Sequence, residues 1–199
     1  LVDKGILLKT EREVHRSPFS GKNHPRTDAP ALTPEQQRAM ESITAAMDEG
    51  GFETFLLHGV TGSGKTEIYL RTIERALLQG KTAIVIVPEI ALTPQLVRIF
   101  SGRLGDRVAV LHSGLSPGER VDQWHQIREG RLPVVIGARS AIFAPLSNLG
   151  IIVVDEEHDG TYKQEETPRY HARDLAVVRG SMTQATVILG SATPSVESF

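Results

Sequence analysis

Residues Gly59-Val60-Thr61-Gly62-Ser63-Gly64-Lys65-Thr66 match the pattern Gly, four residues, Gly-Lys-Ser/Thr at every fixed position. An apolar run at 52–57 precedes them and predicts a strand, and an amphipathic run at 67–79 follows and predicts a helix. A glycine loop set between a strand and a helix leaves the fold few choices. The glycines make room for backbone N–H groups to wrap a polyphosphate, and the helix N-terminus adds positive potential. The expected nucleotide contacts are therefore Gly59, Thr61, Gly62, Ser63, Gly64, Lys65 and Thr66. Lys65 would neutralise charge on the β- and γ-phosphates, and the Thr66 hydroxyl would ligate Mg²⁺.

The same alternation continues along the chain. Apolar runs at 82–87, 107–111, 132–136, 151–154 and 186–189 predict strands. Helical patterns fall at 34–49, 94–104, 117–129 and 172–179, with a short helical piece at 140–143. Strands alternating with helices predict an α/β fold, a parallel sheet with helices on both faces. Two helix starts are marked by capping boxes with Pro at the first helical position, Thr33-Pro34-Glu35-Gln36 and Ser116-Pro117-Gly118-Glu119. Residues 31–199 are expected to form this one domain. Residues 1–10 are expected to be the tail of a preceding domain, and 11–30, rich in Pro and charge without periodicity, a linker.

Composition removes several function classes. The chain has no cysteines, so it carries neither disulfides nor a thiolate metal site, in keeping with a cytoplasmic setting. No apolar run approaches a membrane span. The N-terminus is not shaped like a signal peptide and does not begin with Met, so the chain is expected to be an excised piece of a longer protein. A net charge of −2 gives no global basic field, which leaves local charge to recruit any nucleic acid. The seven histidines show no metal-ligand spacing.

A second half of the nucleotide site is expected at Asp155-Glu156-Glu157-His158, where an apolar strand ends in acids. In a parallel sheet the carboxyl ends of the strands face the ligand crevice. Asp155 would hold Mg²⁺, directly or through water, and Glu156 would polarise the attacking water. With Lys65, these are the expected catalytic residues.

The chain resembles superfamily 2 helicases. Asp155-Glu156-Glu157-His158 is similar to their second motif, and Gly190-Ser191-Ala192-Thr193 to their third. Leu32-Thr33-Pro34-Glu35-Gln36 resembles the motif whose glutamine reads adenine. More closely, the wording resembles the primosomal replication-restart helicases (the PriA, or primosomal protein N′, family). It is carried by the phosphate loop, 87–95, 111–115, Gly137-Ala138-Arg139-Ser140-Ala141, 155–159, Tyr162-Lys163-Gln164, 169–174 and 190–194. The resemblance runs from about Leu32 to the C-terminus. It implies the first RecA-like motor lobe of an ATP-driven 3′→5′ DNA helicase that restarts replication at stalled forks in bacteria. It implies adenine recognition by Gln36 and coupling through His158, Ser191 and Thr193. It implies a winged-helix domain upstream, and a second lobe, a 3′-end-binding domain and zinc-binding cysteines elsewhere in the parent protein. Forked and single-stranded DNA, the primosome and single-strand-binding proteins are the implied partners. Without the second lobe's arginine finger, hydrolysis by this part alone is expected to be very slow.

DNA contact is expected at Thr93, at the start of the helix beginning with Pro94, and at Arg139 and Ser140. The loop at 159–171 carries Tyr162, Arg169 and Tyr170, aromatic faces interleaved with cations, as base stacking on a single strand requires. Trp124, spaced with Val121 and Ile127, is expected in the core or on the lobe surface. Two alternatives stay open: a P-loop ATPase of another type, remodelling or transport, and a nucleotide-binding module without turnover.

Overall fold

Each apolar run becomes a parallel strand in the computed structural model, which describes residues 29–198. The expectations for 1–28 lie outside the described residues. The strands are β1 (Thr54–His58), β2 (Thr82–Ile86), β3 (Val108–Leu111), β4 (Val134–Gly137), β5 (Leu149–Val154) and β8 (Thr186–Ser191). They form one six-stranded sheet in the order β1-β8-β5-β2-β4-β3, with every pair parallel. The helices are α1 (Pro34–Glu49), α2 (Lys65–Leu78), α3 (Pro94–Leu104), α4 (Pro117–Arg128) and α5 (Ala172–Thr183).

Strand alternation divides the core into two layers. Ala83, Val85, Ile151 and Val153 face the layer holding Ile43 of α1, Ile68 and Ile73 of α2, and Phe100 of α3. Ile84, Ile86, Ile152 and Val154 face the layer holding Ile127 of α4 and Ala172 and Ala176 of α5. Strands covered on both sides need apolar residues at consecutive positions, which is why these runs read as continuous. Both capping boxes form: Thr33 and Ser116 each accept from the backbone three residues on, and Gln36 and Glu119 reach back.

Two features differ from expectation. Helix α2 starts at Lys65, two residues early, because Gly64 in the left-handed region (φ 86°) serves as its N-cap. The segment after β5 is more than a loop. It makes a 3₁₀ turn at Gly160–Tyr162 and a small antiparallel hairpin, β6 (Lys163–Gln164) with β7 (Tyr170–His171). Two-residue strands carry no periodicity to read.

Candidate nucleotide site and adjoining nucleic-acid edge

The phosphate loop leaves β1 tied to its neighbour strand. Gly59 N–H donates to the Ser191 carbonyl at 3.0 Å, and Ser63 N–H donates to Val60 O at 3.0 Å to close the turn. Gly59 and Gly64 have no room for a side chain. A Cβ at Gly59 would lie 2.6 Å from Ser63 Oγ, and one at Gly64 would lie 2.3 Å from Gln36 Nε2. Lys65 is only 8% exposed. A buried ammonium needs partners, and Nζ has two: it donates to Gly59 O at 2.7 Å and faces Glu156 Oε1 at 3.7 Å.

The acids sit two strands away. Asp155 N–H donates to Ile86 O at 2.9 Å and Glu157 N–H to Gly190 O at 3.0 Å, so the strand end stays zipped into the sheet. Glu156 turns in the left-handed region (φ 47°), a backbone state that non-glycine residues hold only under local constraint. Asp155 Oδ1 accepts from the Tyr69 hydroxyl at 2.9 Å. Burial pushes the Asp155 pKa up, and the Tyr69 hydrogen bond pulls against it. Burial, then the neighbouring Asp155, pushes the Tyr69 hydroxyl up as well, so it remains a donor.

Glu157 is fully buried. Burial would raise its pKa, but hydrogen bonds from Ser195 N–H, Ser198 and Arg173 outweigh that and hold it below the usual carboxylate range. Ser195 N–H and the Ser198 hydroxyl both donate at 2.7 Å, and Arg173 Nη1 at 3.3 Å. The acid thus fastens α5 and the segment after β8 to the end of β5.

The expected coupling residues meet. His158 Nδ1 lies 2.7 Å from Ser191 Oγ and Nε2 lies 3.3 Å from Thr193 Oγ1. Thr193 N–H also donates to Ser191 Oγ at 3.1 Å. Thr61 is exposed and Thr66 half-buried at the start of α2. Gln36 lies beside the phosphate loop. Its amide is engaged at both ends, accepting from Thr33 N–H at 2.9 Å and donating to Ser63 O at 2.7 Å. The capping box that begins α1 turns this side chain onto the phosphate loop.

For a nucleotide with Mg²⁺, the donor chemistry fits. Mg²⁺ keeps several waters and takes one or two protein oxygens together with phosphates. Thr66 and Asp155 would supply hard oxygens, and the loop's glycines, where a Cβ at Gly59 or Gly64 would clash, leave the backbone open as a cradle.

The nucleic-acid candidates occupy the carboxyl ends of β2, β4 and the hairpin. Thr93 Oγ1 caps α3, accepting from Leu96 N–H at 3.2 Å, and is exposed. Ser140 is exposed in the 3₁₀ turn Arg139–Phe143. Arg139 Nη1 donates to the carbonyls of Thr161 and Lys163, each at 3.2 Å, straddling Tyr162. Arg169 is exposed, its Nε donating to Glu165 O at 3.0 Å. Tyr170 is half-buried and meets Phe143 edge-on, with centroids 5.1 Å apart.

Tyr162 is a correction. It is fully buried, and its hydroxyl donates to the carbonyl of Asp155, with the carbonyl of Ile86 at 3.3 Å as a weaker second acceptor for the same proton. Its ring lies in the core below the hairpin, so no base can stack on it. The exposed aromatics of this edge are instead Trp124 and Phe143, which line one cleft with Tyr170, Arg139 and Ser140. Tyr69 and Glu157 also escaped sequence reasoning. Tyr69 left one signal, its position four residues after Lys65 on the same helical face.

A parallel sheet with a phosphate loop after its first strand and acids two strands away defines a RecA-like motor lobe. The chain belongs to the DEAD/DEAH box helicase family, whose model matches residues 33–199. It is 54% identical over 199 residues to the replication restart protein PriA of Bacillus subtilis (strain 168), covering 100% of this chain and 25% of that protein. It is 56% identical over 169 residues to the protein of the same name in Chlamydia pneumoniae, covering 84% and 23%. Among solved structures, RecG bound to a three-way DNA junction superposes with a TM-score of 0.62 at 27% identity, covering 84% of this chain and 22% of that one. The chain spans about a quarter of the length of the relatives it matches. Among the described residues, no helix is long and apolar enough to cross a membrane.

Proposed function

We propose that this chain is the ATP-binding motor lobe of a 3′→5′ DNA helicase that acts in replication restart at stalled forks. Residues 31–199 form that lobe, and 1–30 join it to an upstream winged-helix domain. The parent protein works in the bacterial cytoplasm at the nucleoid. There it engages forked and single-stranded DNA, the primosome and single-strand-binding proteins. The names of its relatives and the DNA-bound state of the RecG neighbour support this reading.

The observation that carries the motor assignment is the position of Ser191. Its carbonyl holds Gly59 N–H of the phosphate loop and its hydroxyl meets His158 of the acidic motif. Any displacement of the end of β8 is therefore felt by both halves of the nucleotide site. A site that only bound nucleotide would have no use for such a link. Lys65 exchanges Gly59 O for phosphate oxygens, and its charge is placed where negative charge develops during transfer. Glu156, already facing Lys65, accepts a hydrogen from the attacking water. Asp155 and Thr66 would hold Mg²⁺, which would supply charge neutralisation to the phosphates. The second lobe of the parent chain completes the cleft with an arginine.

The deciding experiment is the ATPase rate of the full-length parent protein with and without single-stranded DNA. Stimulation that Lys65→Ala abolishes is the expected result. Turnover indifferent to DNA would favour a P-loop ATPase of another type.

A further inference from the structure

Lys65 and Tyr69 stand one turn apart on the same face of α2, both buried and both aimed at the carboxyl edge of the sheet. Lys65 serves the phosphate loop. Tyr69, 2% exposed, sends its hydroxyl to Asp155 Oδ1 at 2.9 Å. The fold makes room for that hydroxyl at Gly190, on β8 between β1 and β5. A Cβ at Gly190 would fall 1.7 Å from the Tyr69 oxygen and 3.4 Å from Asp155 Oδ1. The notch is therefore specific to the position of the tyrosine oxygen. On the other side, Tyr162 donates to the Asp155 carbonyl, so one buried tyrosine holds the side chain and another the backbone.

We infer that Tyr69 is a positioning residue for Mg²⁺: it occupies one carboxylate oxygen of Asp155 and presents the other to the metal. The inference rests on the proposed assignment of Asp155 to the metal. A carboxylate at a sheet edge rotates freely about its last bond unless one oxygen is held. A donor that cannot itself ligate Mg²⁺ holds it without competing. Outer partners of this kind orient metal-binding side chains, and losing one weakens metal affinity about 10–100-fold.

Tyr69→Phe keeps the ring and deletes only the donor. In the full-length parent protein, Mg²⁺ is titrated against a fluorescent, non-hydrolysable ATP analogue. The half-saturating Mg²⁺ concentration should rise about tenfold, while analogue affinity in EDTA stays at the wild-type value. An unchanged Mg²⁺ midpoint overturns the inference. So does an equal loss with and without metal, which would mark Tyr69 as scaffold of the loop. Asp155→Asn, run alongside, separates the two levels. If it also leaves the midpoint unchanged, the metal assignment of Asp155 falls. If it shifts the midpoint and Tyr69→Phe does not, the role of Tyr69 alone falls.

Discussion

Lys65 Nζ and Glu156 Oε1 face each other at 3.7 Å, the lysine 8% exposed and the glutamate turned toward it by a left-handed backbone. The two charges neutralise each other until a phosphate takes the lysine. Their substitutions should therefore part cleanly. Lys65→Ala removes the phosphate partner and should abolish measurable ATP binding in an equilibrium titration. Glu156→Gln keeps the shape but loses the acceptor for the water proton. It should bind ATP as wild type does, while kcat falls by about 10²–10⁴-fold. Retained turnover in Glu156→Gln would assign the water to another residue.

Glu157 predicts an acid-sensitive latch. Its folded pKa lies below the ordinary value because the ionised form collects Ser195 N–H, Ser198 and Arg173. A depressed carboxylate contributes stability that is present above the unfolded pKa, ~4.3. That contribution is lost as pH falls through the folded value. Glu157→Gln turns an amide N–H₂ toward donors and should cost about 1–3 kcal/mol at pH 7. The difference between wild type and variant should shrink below pH ~4.3. Denaturant unfolding at pH 7 and pH 3.5 measures both. A constant difference would show that the charge of Glu157 is irrelevant to the latch.

What the sequence makes legible here is whatever local chemistry decides. Thr33 and Ser116 announce their helices because capping needs only four consecutive residues. The β-branched run of β5 announces a strand covered on both faces. The phosphate loop and the acids were legible for the same reason, with spacing and residue type setting their chemistry. Tyr162 and Tyr170 mark the limit. They lie in one loop of one composition, yet one ring is swallowed by the core and the other is half-buried against Phe143. Only the three-dimensional path of the hairpin decides which turns inward. Gln36 shows the same limit: its motif is readable, but its contact with Ser63 O spans 27 residues. Glu157 shows it again, since its partners lie up to 41 residues ahead.

The two tyrosines should separate by experiment as they do in space. Tyr170→Ala removes an accessible ring beside Arg139 and should weaken single-strand binding by about 1–3 kcal/mol if a base stacks there. Tyr162→Phe removes the donor to Asp155 O, and to its weaker second acceptor Ile86 O, within the core. It should lower stability by about 0.5–1.5 kcal/mol and leave DNA affinity unchanged. Fluorescence anisotropy with a labelled oligonucleotide, beside denaturant unfolding, reads both effects. A loss of DNA affinity in Tyr162→Phe equal to that in Tyr170→Ala would contradict the buried placement.

Asp155 should trade stability for function. Burial raises its folded pKa above the ordinary aspartate value, with the hydrogen bond from Tyr69 only partly opposing the shift. An acid with a raised folded pKa binds its proton more tightly in the native state. Its contribution to stability is therefore fully present at low pH and is lost as pH rises through the folded pKa. At pH 7 the half-buried carboxylate works against the fold. Asp155→Asn keeps an oxygen for the Tyr69 hydroxyl and removes the charge, so it should raise the thermal midpoint at pH 7. A gain of 1 kcal/mol corresponds to about 2–4 °C in a domain of this size. The gain should shrink as pH falls through the folded pKa and vanish below the unfolded aspartate value, ~3.9, and Mg²⁺-dependent ATP turnover should be lost at every pH. Differential scanning calorimetry in EDTA at pH 7 and below pH ~3.9 is the measurement. A midpoint lowered at pH 7 would show that the ionised carboxylate stabilises its surroundings, reversing the sign argued from its burial.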